Sequence, residues 1–288
     1  VGTTLAALLL AAAAAAQQTI EQRQEADPTG RVVIDSQSGT IRVMGWGRNE
    51  VQVTGTLGRG AEGLNLTRSA RRTDVEVQVE GNPHRVKSDL EIRVPAGSDV
   101  EIDSFAGAIS VEGVKGRVTA ETVQGSITIG AGADEVKAEA VQGDVAVAGP
   151  RGRVLAGSVN GDVTVSEARG EVEASSVTGT LTVSGGAFER AMLETVSGSL
   201  EFSGELAPKA GLEATSVSGD VLLRLPAGVN AEFSVSTFSG EIDNQLGPPA
   251  RPRGRHHPQR SLSFTAGSGG ASVSIQTVSG GIQILKRE

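Results

Sequence analysis

A short phrase built around glycine recurs ten times along this chain, and its spacing limits the fold more than any other feature. The first three copies are Gln37-Ser38-Gly39-Thr40-Ile41-Arg42-Val43, Phe105-Ala106-Gly107-Ala108-Ile109-Ser110-Val111 and Val123-Gln124-Gly125-Ser126-Ile127-Thr128-Ile129. The pattern returns around Gly143, Gly161, Gly179, Gly198, Gly219, Gly240 and Gly280. From Gly107 to Gly179 the step is always 18 residues, and it then lengthens to 19, 21 and 21. A period that constant describes one structural unit stacked on its copy.

Within the phrase, Val123, Gly125, Ile127 and Ile129 share one parity and are expected to face a core, with Gln124, Ser126 and Thr128 facing out. A second segment precedes each phrase, as in Val118-Thr119-Ala120-Glu121-Thr122. Its apolar residues fall on the opposite parity, which places a corner near Thr122 and Val123. Equivalent positions give Val136/Ala138/Ala140, Val154/Ala156/Ser158, Val172/Ala174/Ser176 and Leu212/Ala214/Ser216, a column so small that only a narrow interior accepts it. Glycine at the corner marks a bend or a positive φ. Glycine and β-branched residues recur where a helix needs Ala, Leu, Glu or Lys. The expected fold is therefore all-β, a parallel β-solenoid with 18–21-residue rungs. The chirality of parallel connections favours a right-handed coil.

The expected organisation is a signal peptide over 1–16, a linker over 17–30, an N-terminal β region over 31–97 that caps the solenoid, and the repeats over 98–288. The leading segment rests on Leu5-Ala6-Ala7-Leu8-Leu9-Leu10 and the alanine tract to Ala16, followed by Gln17-Gln18. It implies export to the periplasm, outer surface or medium, with no integral membrane segment once it is removed. A net charge of −8 sets the whole molecule against phosphate backbones, so nucleic acid is not an expected partner. Absence of cysteine excludes disulfides and thiolate chemistry.

No constellation for catalysis, cofactor or metal emerges. Glu121, Glu139 and Glu194 align in one outward column, and Asp144, Asp162, Asp220 and Glu241 follow their repeat glycines, but Gly157, Ser175 and Thr180 break both columns. A solvated face is the expectation. Gly58-Arg59-Gly60-Ala61-Glu62-Gly63 matches a phosphate-loop spacing with no helix after it. His256-His257 lacks a paired carboxylate or cysteine, and His84 lacks triad partners. Thr128, Thr164, Thr180 and Thr182 form part of a threonine array that Ala146 and Glu201 interrupt. The stretch Gly247–Arg260 carries four prolines and no acid. Its Arg251, Arg253, Arg255 and Arg260 form a candidate binding loop for anionic polymer or lipid headgroups, and a solvated insertion is the favoured alternative. Lys286-Arg287-Glu288, after the last strand, suggests charged gatekeepers at the end of the stack.

Three features, namely Gly45-Trp46-Gly47-Arg48-Asn49-Glu50-Val51, Leu90-Glu91-Ile92-Arg93-Val94-Pro95 and the serial [ST]-V-S-G phrases through Thr277–Ile284, carry a resemblance over residues 31–288. The chain resembles a family of bacterial β-strand-repeat proteins labelled "putative adhesins", a domain of otherwise unknown function. That resemblance implies an exported β-helical protein with no catalytic residues to carry over. The function expected is a non-enzymatic adhesin-like or scaffold protein of the envelope that binds an envelope or extracellular polymer or protein through its outer faces. Alternatives are a self-polymerising bactofilin-like scaffold and a polysaccharide-acting β-helix enzyme.

Overall fold

The computed structural model describes residues 18–58, 60–79, 87–252 and 259–287, with backbone alone for 251 and 252. The apolar leader at 1–16, together with Arg59, His84, Arg253, Arg255, His256 and His257, lies outside the described residues. None of the described residues is helical, and no helix is long and apolar enough to cross a membrane.

In the 18-residue repeats from Gly107 to Gly161, two short strands meet at the glycine. In the Gly125 copy these are Arg117–Gln124 and Ile127–Ile129. Alternation buries Val118, Ala120 and Thr122 from the first strand and Ile127 and Ile129 from the second. An 18-residue period returns every side chain to the same place one rung higher. Val100, Val118, Val136, Val154 and Val172 stack in parallel register on one wall. Ile41, Ile109, Ile127, Val145, Val163 and Leu181 stack on the other. Between them the small Ala120, Ala138, Ala156 and Ala174 are fully buried, so the interior is narrow. Each buried Val or Ile contributes roughly 1.5–3 kcal/mol relative to exposure. One rung alone would have nothing above or below to complete that burial, so the stack is cooperative.

The glycine column shows why no other residue serves. At Gly125, Gly143 and Gly161 φ is +137°, +145° and +157°. A methyl group there would overlap the carbonyl oxygen of the preceding repeat glycine, namely Gly107, Gly125 and Gly143. Conformation and close approach both require hydrogen at Cα.

Ten copies in sequence do not stack in sequence order. The Gly280 copy lies between those of Gly219 and Gly240. Strand Ala271–Ser279 pairs in parallel with Leu200–Ser218 on one side and with Ala231–Ser239 on the other, and Ile282 pairs with both Val221 and Ile242. The chain thus builds its outermost rung, caps it, and returns to fill the level it skipped. The opposite end mirrors this. Strand Arg31–Trp46 lies between Arg72–Val79 and Ser88–Pro95 on its outer side and Asp99–Ala106 and Ile109–Glu112 on its inner side. Antiparallel strands close both ends, with Ala61–Ser69 on Arg72–Val79, Glu50–Leu57 on Ser88–Pro95, Gln18–Glu25 on Glu50–Leu57, and Arg260–Ala266 on Ala231–Ser239. An antiparallel cap needs only a short connection and turns the open edge of a parallel stack into a paired one. Strand Ile282–Arg287 is therefore not the end of the stack, and the gatekeeper expectation for its charges fails. Arg287 instead pairs with Glu205 at 3.3 Å.

Candidate binding face

The corner of each rung falls at the glycine itself, later than the parity of the sequence suggests. Strand Arg117–Gln124 keeps its register through Gln124, which pairs with Gln142. Alternation therefore carries Val123 outward with Thr119 and Glu121. Val123 is 39% exposed, whereas Ile127 is 0%. Val123 belongs to the outer set, and the assignment of the whole phrase to one inner face is corrected at this residue. Parity cannot be carried through a corner where the backbone changes direction.

The same displacement occurs on nine of the ten rungs, the Gly39 rung carrying Gln37 instead. Phe105, Val123, Val141, Val159, Val177, Val196, Val217, Val278 and Phe238 are all exposed. Flanking residues fix their stacking order, and the column ends on Val278 and Phe238 because of the inserted rung. Nine levels at about 4.8 Å per strand give an apolar ladder roughly 38 Å long and one side chain wide. Nothing in the folding of a solenoid calls for apolar residues on this outward position.

A second outward column runs beside the ladder through Asp35, Asp103, Glu121 and Glu139, then Gly157, Ser175 and Glu194. Because Gly157 and Ser175 are small, the surface is hollowed there. Ladder and carboxylates enclose an open groove of about 620 Å³, with Val123, Val141, Val159 and Val177 on one wall and Asp35, Asp103, Glu121 and Glu139 along the other. Lys137 donates to Glu121 at 2.6 Å and lies 3.0 Å from Glu139. These hydrogen bonds hold its ammonium above the ordinary lysine range. Partial burial, followed by the charges of Glu121, Glu101 and Asp35, pushes the Asp103 carboxyl above the usual carboxylate range. The groove thus offers apolar contact and negative potential, and Lys137 offsets part of that charge.

Other sequence candidates resolve differently. Glu121, Glu139 and Glu194 do form one column. Carboxylates after the repeat glycine have a structural task. Asp144 accepts the Asp162 N–H at 2.9 Å, Asp162 accepts the Thr180 N–H at 2.7 Å, and Asp220 accepts the Gly281 N–H at 2.7 Å. Each ties its corner to the next rung, and Asp220 reaches the inserted one. Thr128, Thr164 and Thr182 share a column with Ala146, while Thr180 sits at the corner, off that column. Gly63 lies within strand Ala61–Ser69, so the glycine spacing opens no helix. Among the described residues no group of three or more His, Asp or Glu could hold a metal ion. Of the candidate loop, Arg260 begins the cap strand and pairs with Glu241 at 3.3 Å, and Arg251 lies in the two-residue strand Arg251–Pro252 beside it. The loop therefore springs from the capped end, remote from the groove. Sequence reading missed the ladder, although a Val two residues before most repeat glycines was its visible signal.

A family model for Toastrack DUF4097 matches residues 29–285. Among solved structures, a "putative adhesin" from Bacteroides fragilis is similar at 12% identity, covering 94% of this chain and 99% of its own, with a TM-score of 0.43. A "putative adhesin" from Parabacteroides merdae gives 10% identity, 94% and 97% coverage and a TM-score of 0.33. A "putative cell adhesion protein" from Clostridium sporogenes gives 10%, 94% and 100%, and 0.22. No curated protein matches. With the match spanning the capped stack from the first rung to the last strand, this chain belongs to the Toastrack DUF4097 family.

Proposed function

We propose that this protein is an exported, non-enzymatic adhesin-like module of the bacterial envelope, which binds a protein or polymer along its apolar ladder. The observation that carries this reading is the ladder itself, nine exposed apolar side chains in one line beside a carboxylate column. Contiguous exposed apolar surface marks interaction sites on soluble proteins. A partner lying along the ladder would meet the same chemistry at every rung, so weak contacts add through repetition. Export is supported by the apolar tract before Gln17. Cleavage at the end of the alanine tract would leave every described strand intact, the first of them being Gln18–Glu25.

The test is capture from solubilised envelope fractions by the immobilised chain, compared with a Val141→Ser, Val159→Ser, Val177→Ser variant. We expect about tenfold less captured material with an unchanged melting temperature, since these side chains face solvent. Equal capture by both proteins would overturn the ladder as the binding element. In the same fractions mass spectrometry should find a mature N-terminus near Gln17 or Gln18, and recovery only of the intact chain in the cytosol would overturn export.

A further inference from the structure

The acidic groove has a counterpart of opposite charge within the same molecule. Its carboxylates Asp35, Asp103, Glu121 and Glu139 occupy four successive rungs, with Lys137 bridging two of them. The segment from Arg251 to Arg260 holds four arginines, two histidines and no acid, in a chain whose net charge is −8. Both ends of this segment are fixed, at strand Arg251–Pro252 and at Arg260, on the cap beyond the outermost rung. Seven strand spacings separate that cap from the Glu139 rung, or about 34 Å at 4.8 Å each. The seven residues between Pro252 and Arg260, anchored at both ends, extend at most about 14 Å from their base. The basic segment therefore cannot reach the carboxylate wall of its own molecule's groove.

We infer that the groove of one copy receives the arginine-rich segment 251–260 of a second copy. The inference rests on the reading of the ladder face as a binding face and names its occupant. Arginines meet the carboxylate wall, and Pro252 and Pro258 supply apolar surface for the valine wall. Arg260, held by Glu241, anchors the base of the segment. A rung of a second copy cannot pair directly with Arg72–Val79 or Ala231–Ser239, whose outer edges Ala61–Ser69 and Arg260–Ala266 already cover. Because groove and basic segment are different surfaces, the contact is heterologous, and each copy added leaves one of each free. The products are open head-to-tail chains, weakened by salt because the charges are at the surface.

Sedimentation velocity of the mature chain over a range of concentrations, at low and high salt, tests this. The average mass should rise with concentration at low salt and fall to that of a monomer at high salt. A groove variant (Glu121→Gln, Glu139→Gln, Val141→Ser) and a segment variant (Arg251→Ser, Arg253→Ser, Arg255→Ser) should each stay monomeric alone. Mixed, they should form one-to-one dimers that grow no further, since only one complementary pair remains. Should a variant fail to fold, a synthetic peptide of residues 247–260 titrated into the unaltered chain gives a second readout. It should bind the unaltered chain about tenfold more weakly at high salt than at low, and it should dissolve the chains of copies. Concentration-independent monomers, self-association unchanged in either variant, a mixture that stays monomeric, or absence of peptide binding would each overturn the proposal. If the unaltered chain is monomeric while envelope capture still depends on Val141, Val159 and Val177, this occupant is wrong and the binding-face reading stands.

Discussion

Ile127 and Val123 are four residues apart in one phrase, share a parity, and have opposite environments. The difference is the glycine between them, where the strand ends and the chain turns into the second wall. It gives a direct measurement. Ile127→Asp places a charge among stacked Ile109 and Val145 and should lower stability by roughly 3 kcal/mol or more. Val123→Asp and Thr128→Asp reach water and should change it by less than about 1 kcal/mol. Thermal melts of the three variants check this, and a loss at Val123 matching that at Ile127 would return the valine column to the core. The buried hydroxyls on the inner side of the corner divide into two groups. Ser158 donates to the Gly143 carbonyl at 2.9 Å and Ser176 to that of Gly161 at 3.2 Å, whereas Ser104, Thr122, Thr195 and Thr277 find no hydrogen-bond partner among the described residues.

At the scale of the strand, the column Asp35, Asp103, Glu121 and Glu139 places like charges on neighbouring rungs, an arrangement that opposes stacking. Lys137 relieves the pair Glu121 and Glu139, and Arg31 pairs with Glu101 nearby. Asp103 keeps the repulsion, and its carboxyl is raised by burial and by Glu121, Glu101 and Asp35. A carboxyl raised in the folded state binds its proton more tightly there than in the unfolded chain. Its contribution to stability is therefore most favourable at acid pH, and falls as pH rises from the ordinary aspartate value of 3.8 through the raised folded value. Asp103→Asn should raise the melting temperature at pH 7 and flatten its decline between acid and neutral pH. A variant that melts lower than the unaltered chain at pH 7 would show that the carboxylate is stabilised by a partner.

The whole molecule is a stack whose two end levels are completed out of sequence. A strictly sequential solenoid that lost its last 21 residues, 268–288, would shed one rung. Here those residues fill the level beneath Ala231–Asn244, so their removal should release the outermost rung and its cap as well. Limited proteolysis of a chain ending at Gly267 should trim it back to near Pro226, the end of the last strand still supported in parallel by Leu200–Ser218. Survival of Ala231–Asn244 against protease would mean that this rung stands without the inserted strands.

Sequence alone determined the strand character, the 18-residue rung and the small inner column. Each of these depends on contacts between a residue and its copy one period away, and such contacts leave a period in the chain. The outward alignment of Glu121, Glu139 and Glu194 was legible for the same reason. Tertiary structure alone decided where each corner falls, and so which valines form the exposed ladder, because side-chain parity is interrupted at a bend that only the strand pairing locates. It also decided the level of the last repeat. The Val-Ser-Gly phrases before Gly219 and Gly280 and the Phe-Ser-Gly phrase before Gly240 are nearly interchangeable as parallel neighbours, so local chemistry does not order them. Their order follows from the antiparallel cap Arg260–Ala266, which pairs with Ala231–Ser239 and leaves the vacant level beneath it for the strands that follow.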